Sequence, residues 1–143
     1  MKLTDRKKDI IITAGGKNIA PSEIENKLKF SPFIKEAIVI GDARKYLTCL
    51  IQIELENVEN WAQSNKIAYT TYKSLATHRD VYKLIQKEVD NANSYFARVE
   101  TIKKFIILDK ELDPDDEELT ATMKVRRAMI EKKFKDIIEK MYA

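Results

Sequence analysis

The chain has 143 residues, of which 44% are hydrophobic and 34% are charged, and its net charge is +3. This composition predicts one soluble globular domain with its own core, and it excludes a disordered or membrane-embedded chain. Because 26 basic residues oppose 23 acidic ones, the small surplus does not indicate nucleic-acid binding.

No apolar run approaches the ~20 residues of a transmembrane helix, and Met1 leads into charged residues instead of a long apolar segment. We therefore expect a cytosolic protein or the cytosol-facing part of one, with peripheral membrane association left open. Cys49 is the only cysteine, and its strand-like neighbours predict a buried, inert thiol. No metal site is expected.

The first predicted element is a small hairpin within residues 5–20. A β-branched run from Ile10 to Ile12 and a resumed apolar pattern at Ile19 flank the turn signal Gly15-Gly16. Glycines reach positive φ at little steric cost, so this turn can bring bare backbone close to a ligand.

A helix is predicted next, because Ser22 and Glu25 have the spacing of a capping box. The β-branched run from Ile34 to Ile40 then predicts a strand. From Thr48 the chain alternates between apolar and polar residues, which predicts a half-exposed strand paired with the previous one. The apolar face of that strand would carry Cys49, Ile51, Ile53 and Leu55, and the polar face Gln52, Glu54 and Glu56.

Helices are expected before the third strand. Val58 to Gln63 predicts a short helix, and the polar stretch 64–77 predicts a loop or irregular helix. A longer helix is predicted from about Asp80, which could cap it, while His78 is interpreted as an exposed bystander. The apolar stripe of this helix consists of Val81, Ile85, Val89, Ala92 and Phe96. The side chains interpreted as packing residues are Trp61, Tyr69, Tyr72 and Tyr82.

The run from Ile102 to Leu108 predicts a third strand, reached by a crossover connection. The acidic stretch 113–118 is either a loop or the first turn of a helix. An amphipathic helix ends the chain, with Ile130, Phe134, Ile137, Ile138 and Met141 on its apolar side. The predicted fold is α+β: a small N-terminal two-stranded hairpin, a mainly three-stranded sheet packed with helices, and a final amphipathic helix.

Two ordered motifs resemble a known family. Residues 6–25 read Arg-Lys-Lys-Asp, an isoleucine run, a glycine pair and Asn-Ile-Ala-Pro-Ser-Glu-Ile-Glu, which resembles the motif that opens the C-terminal domain of adenylate-forming enzymes, specifically long-chain acyl-CoA synthetases. Residues 119–127, Leu-Thr-Ala-Thr-Met-Lys-Val-Arg-Arg, resemble the loop that presents the catalytic lysine of this family. Ala121 departs from the usual proline and leaves the loop less rigid.

The resemblance implies that Lys124 is the catalytic lysine of adenylation. A cation is wanted there because the attack of a carboxylate on the α-phosphorus of ATP brings two anions together. The alternative is that Lys124 is one cation on a solvated helix face. That face would also carry Arg126, Arg127, Lys132 and Lys133.

The opening motif implies further roles. Lys8 matches the hinge about which the domain rotates between two half-reactions, and Arg6 matches a position near the nucleotide. Gly15, with Gly16, matches the glycine beside the pantetheine tunnel for CoA. Lys17 is a candidate for binding a phosphate of the nucleotide or of CoA. Surface charges and an ordinary hairpin turn are the alternatives for these residues.

The resemblance further implies that residues 1–143 form the mobile C-terminal lid domain of a ligase, with the N-terminal adenylation domain of the same polypeptide as partner. The full enzyme would convert fatty acid, ATP and CoA, with Mg²⁺, to acyl-CoA, AMP and pyrophosphate through an acyl-adenylate. The fragment alone is predicted to be inactive and to bind no cofactor stably. The alternatives are a fatty acyl-AMP ligase that serves a carrier protein, and a non-catalytic α+β interaction or RNA-binding module.

Overall fold

The computed structural model describes residues 10–97, 100–112 and 127–142. Within these ranges the chain forms five strands and six helices. The strands are β1 (Ile11–Ile12), β2 (Asn18–Ile19), β3 (Ile34–Ile40), β4 (Leu47–Ile53) and β5 (Ile102–Ile107). The helices are α1 (Pro21–Lys29), α2 (Leu55–Ser64), α3 (Tyr72–Ala76), α4 (Arg79–Asn93), α5 (Arg127–Lys133) and α6 (Lys135–Tyr142).

The strands form two sheets. β1 and β2 pair antiparallel as a hairpin, with Ile11 opposite Ile19. The larger sheet has the order β3-β4-β5, in which β3 and β4 are antiparallel and β4 and β5 are parallel. A parallel pair needs a crossover connection, which α2, α3 and α4 supply. The predicted hairpin, three-stranded sheet and crossover are therefore confirmed.

Helices cover both faces of the larger sheet. We call the face under α1 to α4 the first core and the face under α5 and α6 the second core. The hairpin contributes to the first core, which is built around Ile11, Ile19, Ile24, Leu28, Leu47, Ile51, Val58, Ile85 and Val89. The second core consists of Ile38, Ile40, Leu50, Leu108, Leu112, Ile130, Ile138 and Met141. None of the helices in the described ranges has the length and apolarity needed to cross a bilayer.

The central strand β4 differs from the prediction. All seven of its residues are buried, whereas the alternating pattern predicted a half-exposed strand that continued to Leu55. Its two polar side chains lie on the second-core face and are hydrogen bonded: Gln52 accepts from the amide of Leu112 at 3.1 Å, and Thr48 donates to the Tyr142 hydroxyl at 3.2 Å. Because these partners come from distant segments, the local pattern did not reveal the burial. Cys49 is buried, as predicted.

The predicted capping box at α1 is wrong. The helix begins at Pro21, and its N-cap is Ala20, which makes no side-chain capping bond. Proline suits the first helical position because its missing N–H would have no intrahelical partner there. The Glu25 carboxylate instead accepts from the backbone amide of Val39 in β3 at 2.8 Å and so attaches the helix to the sheet.

His78, predicted as an exposed bystander, is the N-cap of α4. Its Nδ1 accepts from the amide of Asp80 at 3.0 Å, so Asp80 lies inside the helix and is not the cap. The final amphipathic segment is two helices, since α5 and α6 are interrupted at Phe134. Within the stretch predicted as loop or irregular helix, α3 is a short helix, and a capping box between Thr71 and Ser74 caps its N-terminus.

The aromatic side chains named from the sequence are packing residues, as predicted. Trp61, Tyr69 and Tyr72 lie partly buried against the first core, and Tyr82 stacks on Phe105 with ring centroids 4.6 Å apart. The hydroxyl of Tyr72 is buried and has no hydrogen-bond partner among the described residues. Burial raises its pKa above the usual value, and the negative charges of Glu111 and Glu54 act in the same direction.

We expect Tyr72→Phe to stabilise the chain by about 1 kcal/mol, because it removes a buried hydroxyl without a partner. A tyrosine whose pKa is raised on folding contributes stability that is present below the unfolded pKa of about 10 and is lost as the pH rises above it. The variant should therefore lose less stability than the wild type in alkaline solution.

Urea unfolding at neutral pH and at a pH of about 11 would test this expectation. The matched control is Tyr95→Phe, because Tyr95 is exposed at 63% and its hydroxyl loses little solvent contact on folding. A Tyr72→Phe variant that is less stable than wild type at neutral pH would show that the hydroxyl makes a stabilising hydrogen bond.

Candidate functional site

Three of the predicted site residues lie together in the turn between β1 and β2. Gly15, Gly16 and Lys17 are all exposed there, at the tip of the hairpin. Arg6 and Lys8 lie outside the described residues, and so does Lys124. The acidic stretch 113–118 and residues 119–126 of the predicted lysine loop also lie outside them.

Backbone hydrogen bonds close the hairpin turn. The amide of Gly16 donates to the carbonyl of Thr13 at 2.9 Å, and the amide of Thr13 donates to the carbonyl of Lys17 at 3.0 Å. The Thr13 hydroxyl also accepts from the amide of Lys17 at 3.2 Å. Gly16 has a φ of +82°, a conformation that residues with a side chain rarely adopt. The turn itself therefore explains the glycine at this position.

Gly15 has no comparable internal reason to be glycine. Its φ lies outside the left-handed region, and a Cβ built there would meet no atom of the described chain within 4 Å. Packing inside the domain therefore leaves room for a side chain at Gly15. A requirement for glycine there would have to come from something outside the domain that approaches the hairpin.

Lys17 supplies the only cation of the turn. Its side chain is exposed and forms no ion pair with the residues in the described ranges. An ammonium group on a flexible stem is suited to an anionic partner such as a phosphate. The bare backbone of Gly15 and the charge of Lys17 thus lie in the same exposed turn.

The turn between β3 and β4, residues 41–46, holds the hairpin in place. The amide of Ala43 donates to the carbonyl of Ile12 at 2.8 Å, and the amide of Ala14 donates to the carbonyl of Arg44 at 2.8 Å. The amide of Ile12 also donates to the Asp42 carboxylate at 3.2 Å. Two of these three bonds join backbone atoms, so they depend on the path of the chain more than on side chains.

Gly41 allows this close approach. A Cβ there would collide with the side chain of Leu47 and would lie 3.5 Å from Ile11. Since Ile11 belongs to β1, the small size of Gly41 lets the hairpin pack against the start of β4.

The same turn binds the C-terminal helix α6. The Arg44 guanidinium makes two hydrogen bonds to the Glu139 carboxylate, one of them at 3.2 Å, and its Cζ lies 4.6 Å from the ring centroid of Tyr142. The Tyr46 hydroxyl donates to the carbonyl of Met141 at 2.9 Å. The rings of Tyr46 and Tyr142 lie 4.9 Å apart.

The pKa shifts of Glu139 and Tyr142 agree with these contacts. The Arg44 guanidinium holds the pKa of the Glu139 carboxyl below its usual range, and burial raises the pKa of the Tyr142 hydroxyl. At neutral pH the ion pair is therefore charged and the phenol is neutral. That phenol donates to the carbonyl of Tyr46 at 2.8 Å.

Sequence reasoning missed the role of this turn. The sequence of Asp42 and Arg44 indicates only a polar turn, because their partners lie 30 and 95 residues away in the sequence. In the described part of the chain no three His, Cys, Asp or Glu side chains come together as a metal site.

Comparison with known proteins identifies the family. Residues 8–143 match the family model of the AMP-binding enzyme C-terminal domain. The chain is 43% identical over 143 residues to the long-chain-fatty-acid–CoA ligase FadD15 of Mycobacterium tuberculosis, which covers 99% of this chain and 24% of that protein. It is 32% identical over 158 residues to the long-chain-fatty-acid–CoA ligase ACSBG1 of Bos taurus, covering 98% of this chain and 22% of that protein. The chain thus spans about a quarter of the length of these relatives.

A solved structure shares the fold. The adenylation domain of a carboxylic acid reductase from Segniliparus rugosus, solved in complex with AMP and a co-purified carboxylic acid, matches with a TM-score of 0.72 at 17% identity. The match covers 96% of this chain and 20% of that one. At this identity the likeness concerns the fold alone. The family match over almost the whole chain shows that this protein belongs to the AMP-binding enzyme C-terminal domain family, and its relatives in that family are long-chain fatty-acid CoA ligases.

Proposed function

We propose that this chain is the mobile C-terminal domain of a long-chain fatty acid CoA ligase. Identity of 43% over nearly the whole chain to a long-chain ligase supports this assignment. The observation that carries it within the structure is the hairpin turn, where Gly15 is a glycine that the domain does not need for its own packing. An acyl acceptor such as CoA, whose thiol arm must pass close to the backbone at this position, would explain why the residue is glycine.

The reaction has two half-reactions. In the first, a carboxylate oxygen of the fatty acid attacks the α-phosphorus of ATP, a new P–O bond forms, and pyrophosphate leaves. In the second, the CoA thiolate attacks the acyl carbonyl of the adenylate, the thioester bond forms, and AMP leaves. The N-terminal adenylation domain of the same polypeptide is the partner that this domain covers in both steps.

Each predicted site residue except Gly16, whose positive φ shapes the turn, has one role in this scheme. Lys124 stabilises the negative charge that develops during adenylation, because a preorganised cation lowers the energy of that transition state. Lys8 is the hinge, whose backbone absorbs the change in dihedral angles between the two steps. Arg6 contacts the nucleotide, and Gly15 leaves room for the pantetheine arm. Lys17 serves a phosphate of the nucleotide.

Mg²⁺ accompanies ATP in this proposal. The described residues contain no cluster of three His, Cys, Asp or Glu side chains that could hold a cation, so we assign none of the described residues to the metal. The charge that this domain contributes comes from its lysine and arginine side chains instead.

The full-length protein should convert a long-chain fatty acid, ATP and CoA to acyl-CoA, AMP and pyrophosphate. The isolated chain of 143 residues should show neither ATP–pyrophosphate exchange nor thioester formation, because most of the site belongs to the other domain. Both can be measured by separating radiolabelled ATP from pyrophosphate and by mass spectrometry of the acyl product. Adenylate formation followed by transfer to a carrier protein, with no transfer to CoA, would contradict the proposed acceptor.

A further inference from the structure

The turn at residues 41–46 joins the two parts of the domain that the proposed mechanism uses. On one side it contacts the hairpin that carries Gly15, and on the other side it contacts α6 near the C-terminus. Lys124 precedes the start of α5 by three residues in the sequence, and α6 follows α5 after Phe134. The turn is therefore the direct structural link between the hairpin and the helix pair that follows the lysine.

Arg44 takes part in both contacts with different groups. Its backbone carbonyl accepts from the amide of Ala14 in the hairpin, and its guanidinium binds the Glu139 carboxylate of α6 through two hydrogen bonds. A fork of two N–H groups on one carboxylate fixes the direction as well as the distance between the two partners. Removing the side chain would therefore remove the ion pair with α6, while the hydrogen bonds of Tyr46 to α6 and the contact with the hairpin would remain.

The guanidinium also orients the last turn of α6. It lies over the face of Tyr142, whose hydroxyl donates to the carbonyl of Tyr46 at 2.8 Å and lies 3.2 Å from the carbonyl oxygen of Ile40. A cation above an aromatic face is attracted by the ring. The two side chains of α6 that contact Arg44 are three residues apart, so they lie on one face of the helix.

Apolar burial and the hydrogen bonds of Tyr142 and Met141 keep the helix pair attached to the sheet without Arg44. Ile130 is fully buried, and Ile138 and Met141 are 4% exposed. These residues would hold α5 and α6 in place without Arg44, because apolar burial depends on area and not on direction. The contacts of Arg44 with Glu139 and with the ring of Tyr142 add a further directional constraint on α6, which the apolar contacts do not supply.

We propose that Arg44 is a positioning residue for the adenylation half-reaction: its guanidinium orients α6, and through α6 the helix that Lys124 precedes. This inference rests on the proposed function, in which Lys124 acts in adenylation. The thioester half-reaction does not need this contact, since the hairpin is attached to the turn through backbone atoms of Arg44 and Ala43.

The test uses the full-length protein and measures the two half-reactions separately. Arg44→Ala should lower kcat for ATP–pyrophosphate exchange about tenfold, because a small misplacement of a catalytic group is costly. KM for ATP should not change, since Arg44 does not contact the nucleotide in this assignment. Thioester formation from supplied acyl-adenylate and CoA should proceed at the wild-type rate.

Two further variants test the pair itself. Glu139→Gln should lower exchange in the same direction, and it leaves the turn unaltered. The double variant with alanine at Arg44 and Glu139 should be no slower than Arg44→Ala alone, because the two side chains act as one contact. The matched control is Lys45→Ala, which removes an exposed cation from the same turn and should leave exchange unchanged.

Wild-type exchange in Arg44→Ala, or an equal fall of both half-reactions, would overturn the assignment. Should Arg44→Ala fail to fold, Glu139→Gln decides the question by the same two criteria. Lys124→Ala is measured in the same assays to separate the two proposals. If Lys124→Ala loses exchange and Arg44→Ala retains it, only the positioning role fails; if Lys124→Ala retains exchange, the proposed function of the lysine fails first.

Discussion

Replacement of Lys124 by alanine in the full-length protein is expected to lower kcat for ATP–pyrophosphate exchange at least about 100-fold. In adenylation an anionic carboxylate approaches an anionic phosphate, and negative charge accumulates on the oxygens around the α-phosphorus. An ammonium group placed there stabilises the transition state more than the separated substrates, so its loss appears in kcat. Thioester formation from supplied acyl-adenylate should be nearly unchanged, because that step contains no attack on phosphorus.

Lys132→Ala is the matched control for this prediction. Lys132 lies exposed on α5, eight residues after Lys124, and it represents the solvated helix face that is the alternative interpretation of Lys124. We expect exchange at the wild-type rate in this control. If both variants retain exchange, Lys124 is a surface lysine and the catalytic role is wrong, while the family assignment is unaffected.

Gly15→Leu is expected to affect the two half-reactions in the opposite way to Lys124→Ala. It should leave ATP–pyrophosphate exchange intact and slow thioester formation about 100-fold, since a side chain at this position would displace the thiol from its line of approach. The domain itself should tolerate the change, because a Cβ at Gly15 meets no described atom within 4 Å and the backbone there needs no positive φ. A loss of the thioester step without a loss of stability would thus locate the obstruction outside the domain.

The control for Gly15→Leu places the same leucine side chain at the neighbouring position. Ala14 is exposed in the same turn, and Ala14→Leu should leave both half-reactions close to wild type. Urea unfolding of the variants would show whether the turn is intact. Thioester formation at the wild-type rate in Gly15→Leu would mean that the glycine has no role in acceptor binding.

The parts of the fold with local signals could be predicted from the sequence. The Gly15-Gly16 signal predicted the hairpin turn, and the β-branched run from Ile34 to Ile40 predicted β3 with its observed bounds. The third strand and the crossover were likewise predicted. In these segments the periodicity of the side chains and the conformational preference of glycine act within a few residues, so no distant partner is needed to recognise them.

The errors occur where a distant partner decides the outcome. Gln52 looked like a solvent-facing residue of β4, but Leu112 satisfies its side chain and α5 and α6 cover its face. Glu25 looked like half of a capping box, but its carboxylate binds the amide of Val39 in another element. The contact between Arg44 and Glu139 joins positions 95 residues apart, for which a single sequence offers no signal. The positions of Arg6, Lys8 and Lys124 stay predictions.

The division of the core between two faces has a consequence for synthesis of the chain. The first core is built from elements that precede β5 together with β5 itself, whereas the second core needs α5 and α6 from the end of the described chain. A nascent chain on the ribosome therefore exposes Ile38, Ile40 and Leu50 until α6 has been translated. During that interval the half-covered sheet offers an apolar surface to chaperones or to other nascent chains.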